Sequence, residues 1–219
     1  MEKLALFDLD NTLLAGDSDY LWGRYLVERG RVDDSDYEAR NRAFYEDYRH
    51  GVLDIQAYLR FQLGFLARES RATLESWREE FLERMIRPIL LPKGQECIRR
   101  HREEGATVLI ITATNRFVTE PIARLLGVDD LLATEAEENA DGSFTGQPRG
   151  TPCFREGKIR RLEAWLQQRD ATPTETWFYS DSRNDLFLLE SVHHPVAVDA
   201  DAVLAEEATR RGWPCISFR

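Results

Sequence analysis

Asp8-Leu9-Asp10-Asn11-Thr12 sets two carboxylates two residues apart directly behind a short apolar run, Leu4-Ala5-Leu6-Phe7. Alternate residues of an extended chain project to one side, so both carboxylates can converge on a single small centre. A second acidic group follows the run Trp177-Phe178-Tyr179. There Ser180-Asp181-Ser182-Arg183-Asn184-Asp185 carries carboxylates at i and i+4 that would repel each other without a cation. Thr112 closes a third run, Thr107-Val108-Leu109-Ile110-Ile111, and the turn Ala113-Thr114-Asn115 into the next helix offers a hydroxyl and backbone N–H groups to an anion. Lys158, after Gly157 at a helix start, can bring an ammonium to the same place. Each feature alone has an ordinary use: an Asx turn, a helix N-cap, a solvated lysine. Together, three carboxylates reaching one point call for a hard divalent ion with oxygen ligands, which suits Mg²⁺ better than zinc. A carboxylate nucleophile, a metal and donors for phosphoryl oxygens are the parts of phosphoryl transfer.

The elements that must position these groups read as an α/β fold. Five apolar runs, 4–7, 107–111, 131–133, 176–179 and 195–198, are continuous rather than alternating, as in strands of a parallel sheet buried on both faces. Helical patterns fall between them, from Pro92 to about Glu104, Phe117 to Leu126, Lys158 to Gln168, Asp185 to Ser191 and Ala202 to Arg210, which predicts a doubly wound parallel sheet. Ligands of such sheets bind beyond the carboxyl ends of the strands, where the acidic motifs fall. Residues 15–88 hold no convincing strand and are dense in Arg, Glu and aromatics, so they read as an inserted helical lid. Most of the aromatics in that insertion, Tyr20, Trp22, Tyr25, Tyr37, Phe44, Tyr45, Tyr48, Tyr58, Phe61, Phe65 and Trp77, recur at helical spacing and read as packing surface. Residues 1–14 and 89–219 then form the core domain. Asp141-Gly142 between Thr134–Glu137 and Phe144-Thr145 signals a small hairpin flap.

The chain of 219 residues has a formal net charge of −10, the wrong sign for a general nucleic-acid or anionic-membrane binder. No apolar run approaches the ~20 residues of a membrane span, and no signal-peptide pattern opens the chain, which reads as cytoplasmic. Cys97, Cys153 and Cys215 are widely spaced and read as reduced core thiols; adjacent His193 and His194 read as solvated loop positions. No partner motif appears, and the oligomeric state is left open.

The four motifs resemble those of the haloacid dehalogenase superfamily of phosphatases, across nearly the whole chain. Asp8–Thr12 matches its first motif, Ile111-Thr112 the second, Lys158 the third and Asp181–Asp185 the fourth. Within that superfamily the chain is similar to the phosphoserine-phosphatase-like branch, whose members act on phosphoserine or histidinol phosphate. The resemblance implies a Rossmann-like core, a type 1 helical cap at 15–88, and Mg²⁺ as cofactor. It implies that Asp8 is the nucleophile that forms an aspartyl-phosphate and also a metal ligand. Asp10 is then general acid and base and gives its backbone carbonyl to the metal, which Asp181 also binds. Asn184 and Asp185 support the metal shell, and Thr112, Ala113 and Lys158 hold the phosphoryl group. Ser180, usually Gly in phosphoserine phosphatases, and Phe187, often Pro in related sequences, depart from the pattern.

Asp17 falls where phosphoserine phosphatases carry an acidic residue for the substrate ammonium, which implies a small amine-bearing phosphate ester. No motif aligns a cap arginine for a substrate carboxylate; Arg49 and Arg60 are the candidates, and an amine without a carboxylate, as in histidinol phosphate, fits that gap. Other expectations stay in view. A receiver-type signalling domain clusters similar groups, but in a shorter chain and on a middle strand. A phosphotransferase of the same superfamily would share every motif. Dehalogenases lack the second Asp, and phosphonatases need a cap lysine, of which residues 15–88 have none.

Overall fold

The computed structural model describes residues 2–32 and 36–219. Its frame is a seven-stranded sheet ordered β4-β3-β2-β1-β5-β6-β7, formed by β1 (Lys3–Phe7), β2 (Thr107–Asn115), β3 (Asp130–Glu138), β4 (Phe144–Arg149), β5 (Glu175–Ser180), β6 (His194–Val198) and β7 (Cys215–Ile216). All neighbours run parallel except β3 and β4. The apolar runs are continuous because each strand feeds two cores. Ala5 and Phe7 of β1 and Val108 and Ile110 of β2 point to one face, while Leu4, Leu6, Leu109 and Ile111 point to the other. Seven strands replace the five expected. The flap contributes β4, and two-residue β7 is too short to show a periodicity.

Helices α1 (Ser18–Glu28), α2 (Tyr37–His50), α3 (Ile55–Leu66) and α4 (Arg71–Phe81) follow β1 with no strand between them among the described residues. A π turn at Leu82–Ile86 and a 3₁₀ turn at Arg87–Ile89 lead back to the sheet. Next come α5 (Pro92–Glu103), α6 (Arg116–Leu126), α7 (Glu156–Gln168), α8 (Leu186–Leu189) and α9 (Ala202–Arg211). Capping explains the boundaries: Asp17, Asp54, Ser70, Asn115 and Asp201 each accept backbone N–H groups at a helix start, and Gly51 ends α2 in the left-handed region at φ 70°.

The inserted helices do not carry a core of their own. Trp22 of α1 meets Phe117 of α6 at 6.0 Å and Phe81 of α4 at 5.2 Å, so one apolar cluster runs from β1 and β2 into the insertion. The flap braces it as well. Gly146 of β4 lies so close to α3 that an added Cβ would meet Ala67 Cβ at 3.3 Å, and Arg71 reaches Glu138 at 2.8 Å.

Three further expectations are corrected. β2 does not end at Thr112 but runs on to Asn115, whose side chain caps α6. Cys215 is exposed on β7, unlike buried Cys97 and Cys153. His193 and His194 are both exposed as expected, but His194 belongs to no loop: it opens β6 and stacks on Trp177 at 4.6 Å.

Candidate active site

β1 is flanked by β2 and β5 in register, with Phe7 opposite Ile110 and Tyr179. Neighbouring strands lie about 4.8 Å apart, so the groups just past these three ends fall within about 10 Å. This is also where the order of the chain through the sheet reverses, the crevice that open α/β sheets use for ligands. Asp8 follows β1, Thr112 lies within the last residues of β2, and Asp181 follows β5.

The centre is a buried charge cluster. Lys158 Nζ donates to Asp8 Oδ1 at 2.8 Å and to Asp185 Oδ2 at 2.8 Å, and Lys158, Asp8 and Asp185 are 1–3% exposed. Burial works against the ammonium, but Asp185 and Asp8 outweigh it and hold the Lys158 pKa above its usual value. Asp8 is pushed up to about 7, chiefly by burial; Lys158 opposes this, and Asp185 and Asp10 add to it. Asp181 is raised well above the carboxylate range by burial and by Asp8 and Asp185. Four acids around one lysine leave negative charge in excess, which is where a cation would be stabilised.

Asp10 is held by both oxygens: Ser18 N–H donates to Oδ1 at 2.6 Å and the Thr114 hydroxyl to Oδ2 at 2.8 Å. Burial still raises its pKa against those two donors. Thr12 accepts the Asp181 N–H at 3.1 Å and donates to Asp181 Oδ1 at 3.1 Å. Ser180, the departure from the usual glycine, donates to Asp185 Oδ2 at 2.7 Å. Thr12, Thr114 and Ser180 had no assigned role in the sequence, because a hydroxyl that orients a carboxylate carries no spacing rule of its own.

One cavity of about 30 Å³ is lined by Asp8, Asp10, Asp17, Thr112, Ala113 and Thr114 from the sheet side. Its other wall is Tyr20, Asn41, Phe44, Tyr45, Tyr48 and Tyr58 with Leu53 and Ile55. The packing reading therefore holds for Trp22, Tyr25, Tyr37, Phe61 and Phe65, which are buried, while Tyr20, Tyr45 and Tyr48 line the cavity and Tyr58 both lines it and packs on the core. Lys158 and Asp185 sit behind Asp8, and Asp181 faces a neighbouring recess with Asn11, Tyr45, Tyr48 and Arg49. Asn184 turns to the insertion instead, donating to Tyr48 O at 2.9 Å. Asp17 caps α1 through Tyr20 N–H at 2.7 Å, and burial raises its pKa strongly, with Asp10 adding to it. Asp19, unnoticed in the sequence, is buried behind it, takes the Tyr58 hydroxyl, and is pushed up to about 7 by burial. Arg49 and Arg60 are exposed, and neither lines the cavity.

The sequence signature of the haloacid dehalogenase-like hydrolases matches residues 5–190. The chain belongs to that family. A histidinol-phosphatase of Neisseria meningitidis serogroup C is 44% identical over 222 residues, covering 100% of both chains. A phosphoserine phosphatase of Mycobacterium tuberculosis is 32% identical over 218 residues, 98% of this chain and 70% of the relative. Among solved structures, a Bordetella pertussis Tohama I protein of unknown function superposes with a TM-score of 0.94 at 43% identity, each chain fully covered. A substrate-bound phosphoserine phosphatase shares the fold at a TM-score of 0.73 and 20% identity, over 99% of this chain and 93% of that one. This haloacid dehalogenase-like hydrolase is a phosphatase. Among the described residues no helix is long and apolar enough to cross a membrane.

Proposed function

We propose that the protein hydrolyses a small amine-bearing phosphomonoester of the histidinol phosphate type, by way of an aspartyl-phosphate on Asp8. The observation that carries this is the cavity wall: Asp17 and four tyrosines face Asp8 and Asp10, and no Arg or Lys lines it among the described residues. A carboxylate and aromatic faces favour an ammonium and a ring, while a substrate carboxylate would find no cation there. The full-length similarity to a histidinol-phosphatase supports the same substrate class. An amine-bearing ester of this kind belongs to amino-acid biosynthesis.

In the first step an Asp8 oxygen attacks phosphorus and the ester P–O bond breaks, with Asp10 giving its proton to the leaving oxygen. Water then attacks the aspartyl-phosphate, Asp10 takes its proton, and breakage of the Asp8 O–P bond frees phosphate and restores the carboxylate. The raised pKa of Asp10 suits a group that must hold a proton before it donates it. Thr112 and the backbone around Ala113, which line the cavity with Asp8, would hold the phosphoryl oxygens, while Lys158 fixes Asp8 from behind.

The donor set fits Mg²⁺. Among the described residues no three His, Cys, Asp or Glu side chains form a ready cage. Asp8, Asp181 and the Asp10 carbonyl would instead supply the few oxygens that a largely hydrated Mg²⁺ accepts. When bound, the ion would neutralise charge on the phosphoryl oxygens and keep Asp8 ionised. Thr12 orients Asp181 for that purpose, and Asp185 reaches the set only through Lys158.

Phosphate release from histidinol phosphate, phosphoserine, nucleoside monophosphates, sugar phosphates and an aryl phosphate, with Mg²⁺ or EDTA, tests this, with Asp8→Asn as control. Preferred, Mg²⁺-dependent release from histidinol phosphate is expected. Equal rates on phosphoserine would remove the substrate assignment, and no release above the control would remove the chemistry.

A further inference from the structure

The carboxyl end of α2 is docked on two loops of the core. Asn184 Nδ2 donates to Tyr48 O at 2.9 Å. Arg155 donates to the Gly51 carbonyl and, through Nε and Nη2, to Asn184 Oδ1 at 3.3 Å each. Arg183 packs on the same corner: a Cβ built on Gly51 would lie 3.1 Å from its Nε. The last carbonyls of a helix carry partial negative charge and lack partners within the helix, so guanidinium groups are suited to hold them. Without Arg155 the Asn184 amide oxygen would lose these donors, and only its nitrogen would still hold α2.

The backbone of Arg155 adds an independent argument. Gly157 N–H donates to Phe154 O at 2.8 Å, closing a turn in which Arg155 has φ 50° and ψ −124°. That is the first central position of a type II′ turn, a place where glycine is favoured and an arginine is strained. Only the side chain explains the residue there, and it joins α2 to the loop that follows β5.

We propose that Arg155 is a positioning residue. It seats α2, and with it the wall formed by Tyr45 and Tyr48, on the loop that carries Asp181 and Asp185. Arg155 touches none of the reacting groups; it acts through Gly51 and Asn184. The kinetic part of this inference rests on the phosphatase reading above, and the exchange measurement below does not.

Arg155→Gly tests it, since glycine relieves the turn while removing the guanidinium. The midpoint of thermal unfolding should hold or rise. Amide exchange of residues 45–52 should quicken about tenfold or more, the scale of one charge-assisted hydrogen bond, with β1 unchanged. KM for histidinol phosphate should rise by a similar factor, Asn184→Ala should move both quantities the same way, and the double variant should add little. Unchanged exchange at 45–52 overturns the proposal. So does faster exchange throughout with a lower midpoint, which would make Arg155 merely structural. If the wild type releases phosphate from no ester, the proposed function fails while the exchange arm still decides the clamp.

Discussion

Asp10 and Lys158 show how single side chains carry the chemistry. Asp10 keeps a fixed direction through Ser18 and Thr114 while burial raises its pKa, so Asp10→Asn should leave the fold intact and lower kcat by about 10²–10⁴, read in steady-state phosphate release. A loss below tenfold would mean that another group moves the proton. Lys158 is different because it pairs with two buried carboxylates at once. Lys158→Met should cost about 3–5 kcal/mol by urea unfolding, since both acids lose their partner. Restoration of stability in Lys158→Met/Asp185→Leu would confirm that the cost lies in the unpaired charge.

Elements place these residues by close approach as much as by periodicity. Gly157 lies in the first turn of α7 directly before Lys158, and a Cβ there would lie 2.0 Å from Pro152 O, a backbone atom that cannot step aside. Gly157→Ala should therefore displace the start of α7, lowering both the unfolding midpoint and kcat. Gly64 in α3 meets nothing within 4 Å. Gly64→Ala should stabilise by about 0.5–1 kcal/mol through helix propensity, seen as a small rise in midpoint at unchanged activity. His101 of α5 reports on packing: burial lowers its pKa, with Arg100 acting the same way, and its Nε2 meets Tyr179 OH at 2.8 Å. The unfolded chain then takes up a proton near pH 6.5 before the folded one, so stability should fall as pH drops below 6.5. That decline should be shallower in His101→Gln, measured by urea unfolding at pH 7 and 5.

The molecule as a whole is acidic, with a formal net charge of −10, yet its proposed substrate is an anion. Screening that field should help capture. kcat/KM for a dianionic aryl phosphate should rise as ionic strength goes from about 0.01 to 0.15 M, where the Debye length shrinks from ~30 to ~8 Å. A fall instead would show that local positive charge governs approach. The cavity beside Asp8 is small, about 30 Å³, and Tyr45 and Tyr48 of α2 wall both it and the recess that Asp181 faces, so the seating of α2 by Arg155 and Asn184 bears on how substrate fits there.

What the sequence by itself determined was local: strands buried on both faces, helices bounded by their caps, and Asp8, Asp10, Thr112, Lys158 and Asp181 each at or near the end of such an element. A parallel sheet then brings those ends together, which is why the candidate site was legible along with the α/β class. The remainder depended on contacts between distant segments. Tyr20, Tyr45 and Tyr48 share their helical spacing with Tyr25 and Trp22, and only the seating of α1 and α2 over β1 separates cavity wall from core. Asp185 reads as a member of the acidic loop until Lys158 arrives from 27 residues away, and Asn184 until Tyr48 arrives from 136. Hydrogen bonds across such separations leave no periodicity in the chain, because tertiary packing alone chooses which donor meets which acceptor.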